Sequence, residues 1–201
     1  MTLTFTAATR DDACLDFANT LSWRGRAAPV ETLDADDLAR WVAGSGVGKI
    51  AGEIEEWAPA LLAEAIALRE TIYRIFRALA CGEAVPDQDL AALNRALAAA
   101  PPRDRIVRAE GGYGWQIGPA ALSVPTLLAP VLWSAGDLLA SERRRQVRQC
   151  ANHECLWLFL DVSKAGTRRW CNMASCGNRA KARRHYQRTR PRGEAGSARR
   201  V

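Results

Sequence analysis

The chain has 201 residues, 48% apolar and 25% charged, with a net charge of +6 that is unevenly spread: residues 1–141 carry 12 Lys and Arg against 18 Asp and Glu, and residues 142–201 carry 16 against 4. No apolar run reaches the roughly 18 residues that span a bilayer, and Met1 to Thr6 lack the basic and apolar regions of a secretory leader. A cytoplasmic protein with no membrane partner is expected, in which thiols stay reduced and clustered cysteines hold metal rather than form disulfides.

Near the start, Asp16, Asn19 and Thr20 are interleaved with Leu15, Phe17, Ala18 and Leu21. Polar residues so placed either brace local structure or line a pocket for a small-molecule effector, with Asp16 and Asn19 the pocket candidates; bracing is the commoner outcome. A helix is predicted over Asp34–Val42, with Asp34 as cap and Leu38, Trp41 and Val42 on one face. A longer one is predicted from about Pro59 to Ala80, with the stripe Leu62, Ala65, Ile66, Ile72, Tyr73, Phe76, Leu79 and a stop at Gly82. A third runs from an Asp87 cap through Leu90, Leu93 and Leu97 to Pro101-Pro102.

The period then changes. Ile106-Val107, Gly111-Gly112 and the alternation Tyr113, Trp115, Ile117 predict a β-hairpin. A helix over about Pro125–Ser141 follows, in which Pro130 marks a kink or the true start. Trp23, Trp41, Trp115 and Trp133 read as core, and the isolated Cys14 and Cys81 as small buried hydrophobes. No set of nucleophile, base and orienting group is visible, and both histidines lie beyond residue 150, so an enzyme is not expected. The fold class is mainly α (α+β): residues 1–143 form an α-rich domain with a small hairpin, residues 144–189 a separate module, and residues 190–201 a basic tail too polar to order itself.

The module carries the clearest chemistry. Cys150-Ala-Asn-His-Glu-Cys155 and Cys171-Asn-Met-Ala-Ser-Cys176 are two C-x4-C pairs with fifteen residues between them. Four thiolates suit one structural zinc ion, and a closed set of four leaves no position for a catalytic water. Val147-Arg148-Gln149 and Leu156 to Leu160 read as two hairpin arms, residues 163–167 as a turn, Arg168 to Trp170 as a returning strand, and Gly177–Arg188 as a helix. Hairpin, knuckles and helix make a treble-clef-like finger with too few apolar residues to fold without a metal staple.

The run Arg168-Arg169-Trp170-Cys171-Asn172-Met173, followed by Cys176-Gly177-Asn178-Arg179, resembles the signature of the CGNR zinc-finger family. Cys14-Leu15-Asp16-Phe17-Ala18-Asn19-Thr20, Glu31-Thr32-Leu33 and Leu138-Leu139 resemble the ABATE domain that usually precedes that finger. The resemblance implies a bacterial protein proposed to be a stress-induced transcription regulator, with zinc on the four cysteines and a finger that binds DNA.

The helix after Cys176 sets Arg179, Arg183 and Tyr186 on one stripe and Lys181, Arg184 and Arg188 on its neighbour. Such a cationic face suits double-stranded DNA, where phosphates attract charge and a bidentate arginine reads guanine. Lys181, Arg183, Arg184 and Arg188 are the DNA-binding candidates, with Arg168 and Arg169 clamping a flanking phosphate. Asn178 and Arg179 are candidates for bracing the metal shell, whose tetrathiolate carries a formal charge of −2. Two other readings stay open: a finger that binds an acidic protein surface, and a thiol switch that releases zinc on oxidation.

Overall fold

The computed structural model describes residues 2–7, 10–34, 38, 51–109 and 112–189. The helix expected over Asp34–Val42 lies largely outside these residues, as does the tail from Arg190. Among the described residues no helix is long and apolar enough to cross a membrane.

Helix α1 (Ala13–Ala18) is short and buried on most sides, with Cys14, Leu15, Phe17 and Ala18 all in the core. It lies against α2 (Ala51–Cys81) and, farther along, α5 (Ala129–Ala140). The inward face of α2 carries Ala65, Leu68, Ile72, Ile75 and Phe76 at helical spacing. Its start differs from expectation. Pro59 lies inside the helix rather than at its first turn, at the cost of one backbone hydrogen bond, because Ala- and Glu-rich sequence continues the helix upstream. Its end is as expected: Gly82 at φ 70° closes a double cap in which Glu83 N–H reaches the Ala78 carbonyl at 2.8 Å and Gly82 N–H reaches that of Leu79 at 3.1 Å. Cys81, on the last turn, is exposed and not core.

Helix α3 (Asp87–Ala99) begins at Asp87 with Pro86 in the cap position, so Asp87 is a first-turn acid rather than a cap. Its stripe is also turned: Asp89 is buried against Arg74, 2.6 Å away, while Leu90 is exposed. Ion pairing with a helix of the core pulls the acid inward past the leucine. Strands β4 (Arg105–Ala109) and β5 (Gly112–Ala121) pair antiparallel, with Ile106 opposite Trp115. A third strand, β1 (Thr2–Ala7), adds to the far edge of β5 and makes it the central strand. The segment near Pro130 divides into α4 (Val124–Leu127) and α5, with Pro130 in the first turn of α5. The small strands β2 (Leu21–Ser22) and β3 (Val30–Glu31) pair across a loop.

The finger begins with β6 (Val147–Gln149) and β7 (Leu158–Leu160), antiparallel with Val147 opposite Leu160. Helix α6 (Asn178–Thr189) ends the described chain. Val147, Leu158 and Leu160 are buried in the same hydrophobic cluster as α1, α2 and α5. The hairpin of the finger is therefore part of the main core, while the knuckles gather a smaller cluster of their own around the cysteines.

Candidate metal centre and cationic face

Each knuckle is shaped by an asparagine. In the first, the Asn152 carbonyl accepts from Cys155 N–H at 2.8 Å and its side-chain oxygen from Glu154 N–H at 3.2 Å, which turns the chain back between the two ligands. In the second, the Asn172 side chain accepts from Ser175 N–H at 3.2 Å and caps a π-helical turn, Met173–Gly177, that carries Cys176. Asp161 organises the link between knuckles: its carboxylate accepts from Ser163 N–H at 3.0 Å and Arg168 N–H at 2.9 Å. Leu156, at φ 59°, brings the chain out of the first knuckle into β7.

These turns bring Cys150, Cys155, Cys171 and Cys176 together, with their four sulfurs within 4.8 Å of one another. The Cys155–Cys171 and Cys171–Cys176 sulfur separations are 3.7 Å and 3.8 Å. Zinc–sulfur bonds of about 2.3 Å in a tetrahedron place sulfurs about 3.8 Å apart, and a disulfide would bring them to about 2 Å. The cysteines are thus free thiols positioned to hold one zinc ion. Cys150, Cys155 and Cys176 are buried and Cys171 is partly exposed, at a cleft of about 370 Å³ flanked by Trp23 and Trp157.

Contact among the sulfurs divides the thiols: hydrogen bonds from Cys155 and Cys171 lower Cys150, and their bonds to Cys150 raise Cys155 and Cys171. Zinc takes thiolates as ligands, so loading the site would release protons.

Around the sulfurs, the Asn152 amide donates to Cys176 Sγ at 3.6 Å, a contact with no counterpart in the sequence reading although an Asn inside a knuckle is a turn signal. Asn178 donates to the Ala174 carbonyl at 3.2 Å and so braces the turn between the second pair of ligands. Arg179 lies over the Trp23 ring, 4.6 Å from its centroid, rather than on a sulfur. Arg168 is placed differently from expectation. It is on no strand, and its guanidinium donates to the Trp170 carbonyl at 2.9 Å and to the Cys171 carbonyl, with the Phe159 ring beneath it. These acceptors are neutral, and Arg168 keeps its positive charge at the exposed surface.

Arg169 and Lys181 are exposed, and Arg183 meets His153 Nδ1 at 3.3 Å and Glu154 Oε1 at 3.2 Å. The side chains of Arg184 and Arg188 lie outside the described residues. A cleft of about 250 Å³ separates the first knuckle from α6, with Arg169, Trp170, Arg179 and Arg183 on its walls. Asp16 is exposed and paired with Arg10, while Asn19 donates to the Leu158 carbonyl at 2.9 Å and accepts from Leu158 N–H at 3.0 Å. Asn19 thus braces the first helix against the finger hairpin, the commoner of the two outcomes expected of such residues.

Comparison with known proteins gives the same division of the chain. The ABATE family model, described as "Putative stress-induced transcription regulator", matches residues 11–142. The CGNR zinc finger model matches residues 146–189. No curated protein matches the chain.

Proposed function

The chain belongs to the ABATE family and carries a CGNR zinc finger, and from that premise we propose that it regulates transcription by binding duplex DNA through the exposed face of α6. The observation that carries this reading is the placement of Lys181 and Arg183, both exposed, on a helix tied at its start to the Cys176 turn. A helix anchored at the metal presents its cations with little ordering cost on binding. Arg169 and Arg179 extend the cationic surface along the adjoining cleft. The reading is of a cytoplasmic binding protein, with the α-rich part as its regulatory half and no catalytic group.

Contact with about five phosphates would give a salt slope near −4.5, so binding should weaken steeply as salt rises. The test is duplex binding by the zinc-loaded protein over a range of salt, on fragments selected from genomic DNA. Replacing Arg183 and Arg184 together by Ala should leave zinc content unchanged, weaken binding to every duplex and make the slope shallower by about 2. Binding as tight as wild type in that variant would exclude α6 as the contact surface.

A further inference from the structure

The loop between β2 and β3 lies against the first knuckle. A Cβ on Gly25 would stand 1.7 Å from the His153 carbonyl oxygen, so the approach requires glycine. Gly25 N–H donates to the Glu154 carbonyl at 3.1 Å. Trp23, at φ 56°, has two guanidiniums over its ring, with Arg26 at 4.0 Å and Arg179 at 4.6 Å from the centroid. A tryptophan persists in that left-handed backbone region only where its surroundings over-determine it.

The same loop delivers a charge to the finger. Arg26 donates through Nε and Nη2 to Glu154 Oε2, at 3.2 Å and 3.1 Å. Arg183 donates through Nη2 to the other oxygen, Oε1, at 3.2 Å. Two guanidiniums from opposite ends of the chain therefore bracket one carboxylate, one on each oxygen. Both remain in contact with solvent, with side-chain exposures of 39% and 53%. Planar guanidiniums facing two oxygens of a single anion are also the arrangement that holds a phosphodiester.

We propose that Arg26 belongs to the nucleic-acid surface and that Glu154 is its resident anion: a backbone phosphate of DNA takes the place of the Glu154 carboxylate between Arg26 and Arg183. The inference rests on the DNA reading above and extends it, since the α-rich part then touches DNA beside the finger. The position of the Trp23–Arg26 loop then helps to set affinity, and anything that moves the loop is felt at the phosphate. Displacing a bound carboxylate opposes binding, so neutralising Glu154 should favour it.

The test uses the full zinc-loaded chain and duplex DNA at several salt concentrations. Arg26→Ala should bind about five-fold more weakly at 0.15 M salt, with the slope shallower by about 0.9, as one lost phosphate contact requires. Gly25→Ala, which pushes the loop off the knuckle, should have the same effect. Glu154→Gln should bind more tightly by a similar factor with zinc content unchanged, a gain that misfolding cannot produce. If Arg26→Ala and Glu154→Gln both bind DNA as wild type does, the shared surface is overturned while the DNA reading stands. If wild type binds no duplex, the DNA reading falls, and inorganic pyrophosphate becomes the probe of the anion site. Binding of pyrophosphate that Arg26→Ala loses and Glu154→Gln strengthens supports the site; its absence from both wild type and Glu154→Gln overturns it.

Discussion

Asn19 ends the first helix and uses both halves of its amide on Leu158, donating at 2.9 Å and accepting at 3.0 Å. Side chain and strand thus pair as two strands would, and the backbone polar groups of buried Leu158 are satisfied from another element. Tyr73 does similar work beside it, donating to the Leu156 carbonyl at 3.1 Å and accepting from Gln149 at 3.0 Å. Asn19→Ala should therefore lower thermal stability by about 1–3 kcal/mol, the cost of leaving buried backbone groups unpaired. Calorimetry of the variant decides this, and an unchanged melting temperature would show that Asn19 braces nothing. That an asparagine among apolar residues needed a partner was legible in the sequence. Which partner it found was not, because Leu158 is 139 residues away.

Among the elements, the finger divides into a part held by packing and a part held by metal. Val147, Leu158 and Leu160 of β6 and β7 belong to the main core, whereas the knuckles cluster around the cysteines with Phe159, Trp157 and Trp170. Removing zinc with a chelator should therefore expose the knuckle amides and those of α6 to rapid hydrogen exchange while β6 and β7 stay protected. Equal loss of protection along residues 147–189 would show instead that the finger folds and unfolds as one unit. The apolar residues within 144–189 are few, and the surface that α1 and α2 lend to the hairpin cannot be read from that stretch alone. Strand β1 is not legible in the sequence for a similar reason: the alternation of Thr2 to Thr6 is brief, and only pairing with β5 makes it a strand.

Across the whole molecule, charged groups stitch the loop after α1 to the long helix and to the finger. Arg69 is buried and bridges Glu31, at 2.8 Å from Nη2, and Glu70, at 2.9 Å from Nε. Glu70 also holds Arg24 at 2.7 Å, and Arg24 stacks on Tyr73 at 3.7 Å. Burial raises both glutamates, but the hydrogen bonds from Arg69 to Glu31 and from Arg24 and Arg69 to Glu70 outweigh it, leaving each carboxyl below its ordinary value. A carboxylate whose folded pKa is depressed contributes stability above its unfolded value, about 4.3, and loses it as pH falls through the folded one. Urea stability should therefore hold level from neutrality to about pH 5 and decline below that. Arg69→Met should flatten the decline while lowering stability at pH 7, and an unaltered pH profile in that variant would exclude the cluster as its source.

What the sequence determined by itself was local: the helical and hairpin periods, the Gly82 stop, the four ligands and the basic end of the chain. These depend on neighbours within a few residues, or on ligand chemistry so restrictive that four spaced cysteines suffice. Only the tertiary structure decided how the charges are employed. Arg168 serves the knuckle carbonyls, Arg179 stacks on Trp23, and Glu154 lies between Arg26 and Arg183. A guanidinium binds whichever acceptor or ring the fold brings near: for Arg168 that is the turn of its own knuckle, and for Arg26 and Arg179 it is a partner more than a hundred positions away, because the finger hairpin shares its core with the domain before it.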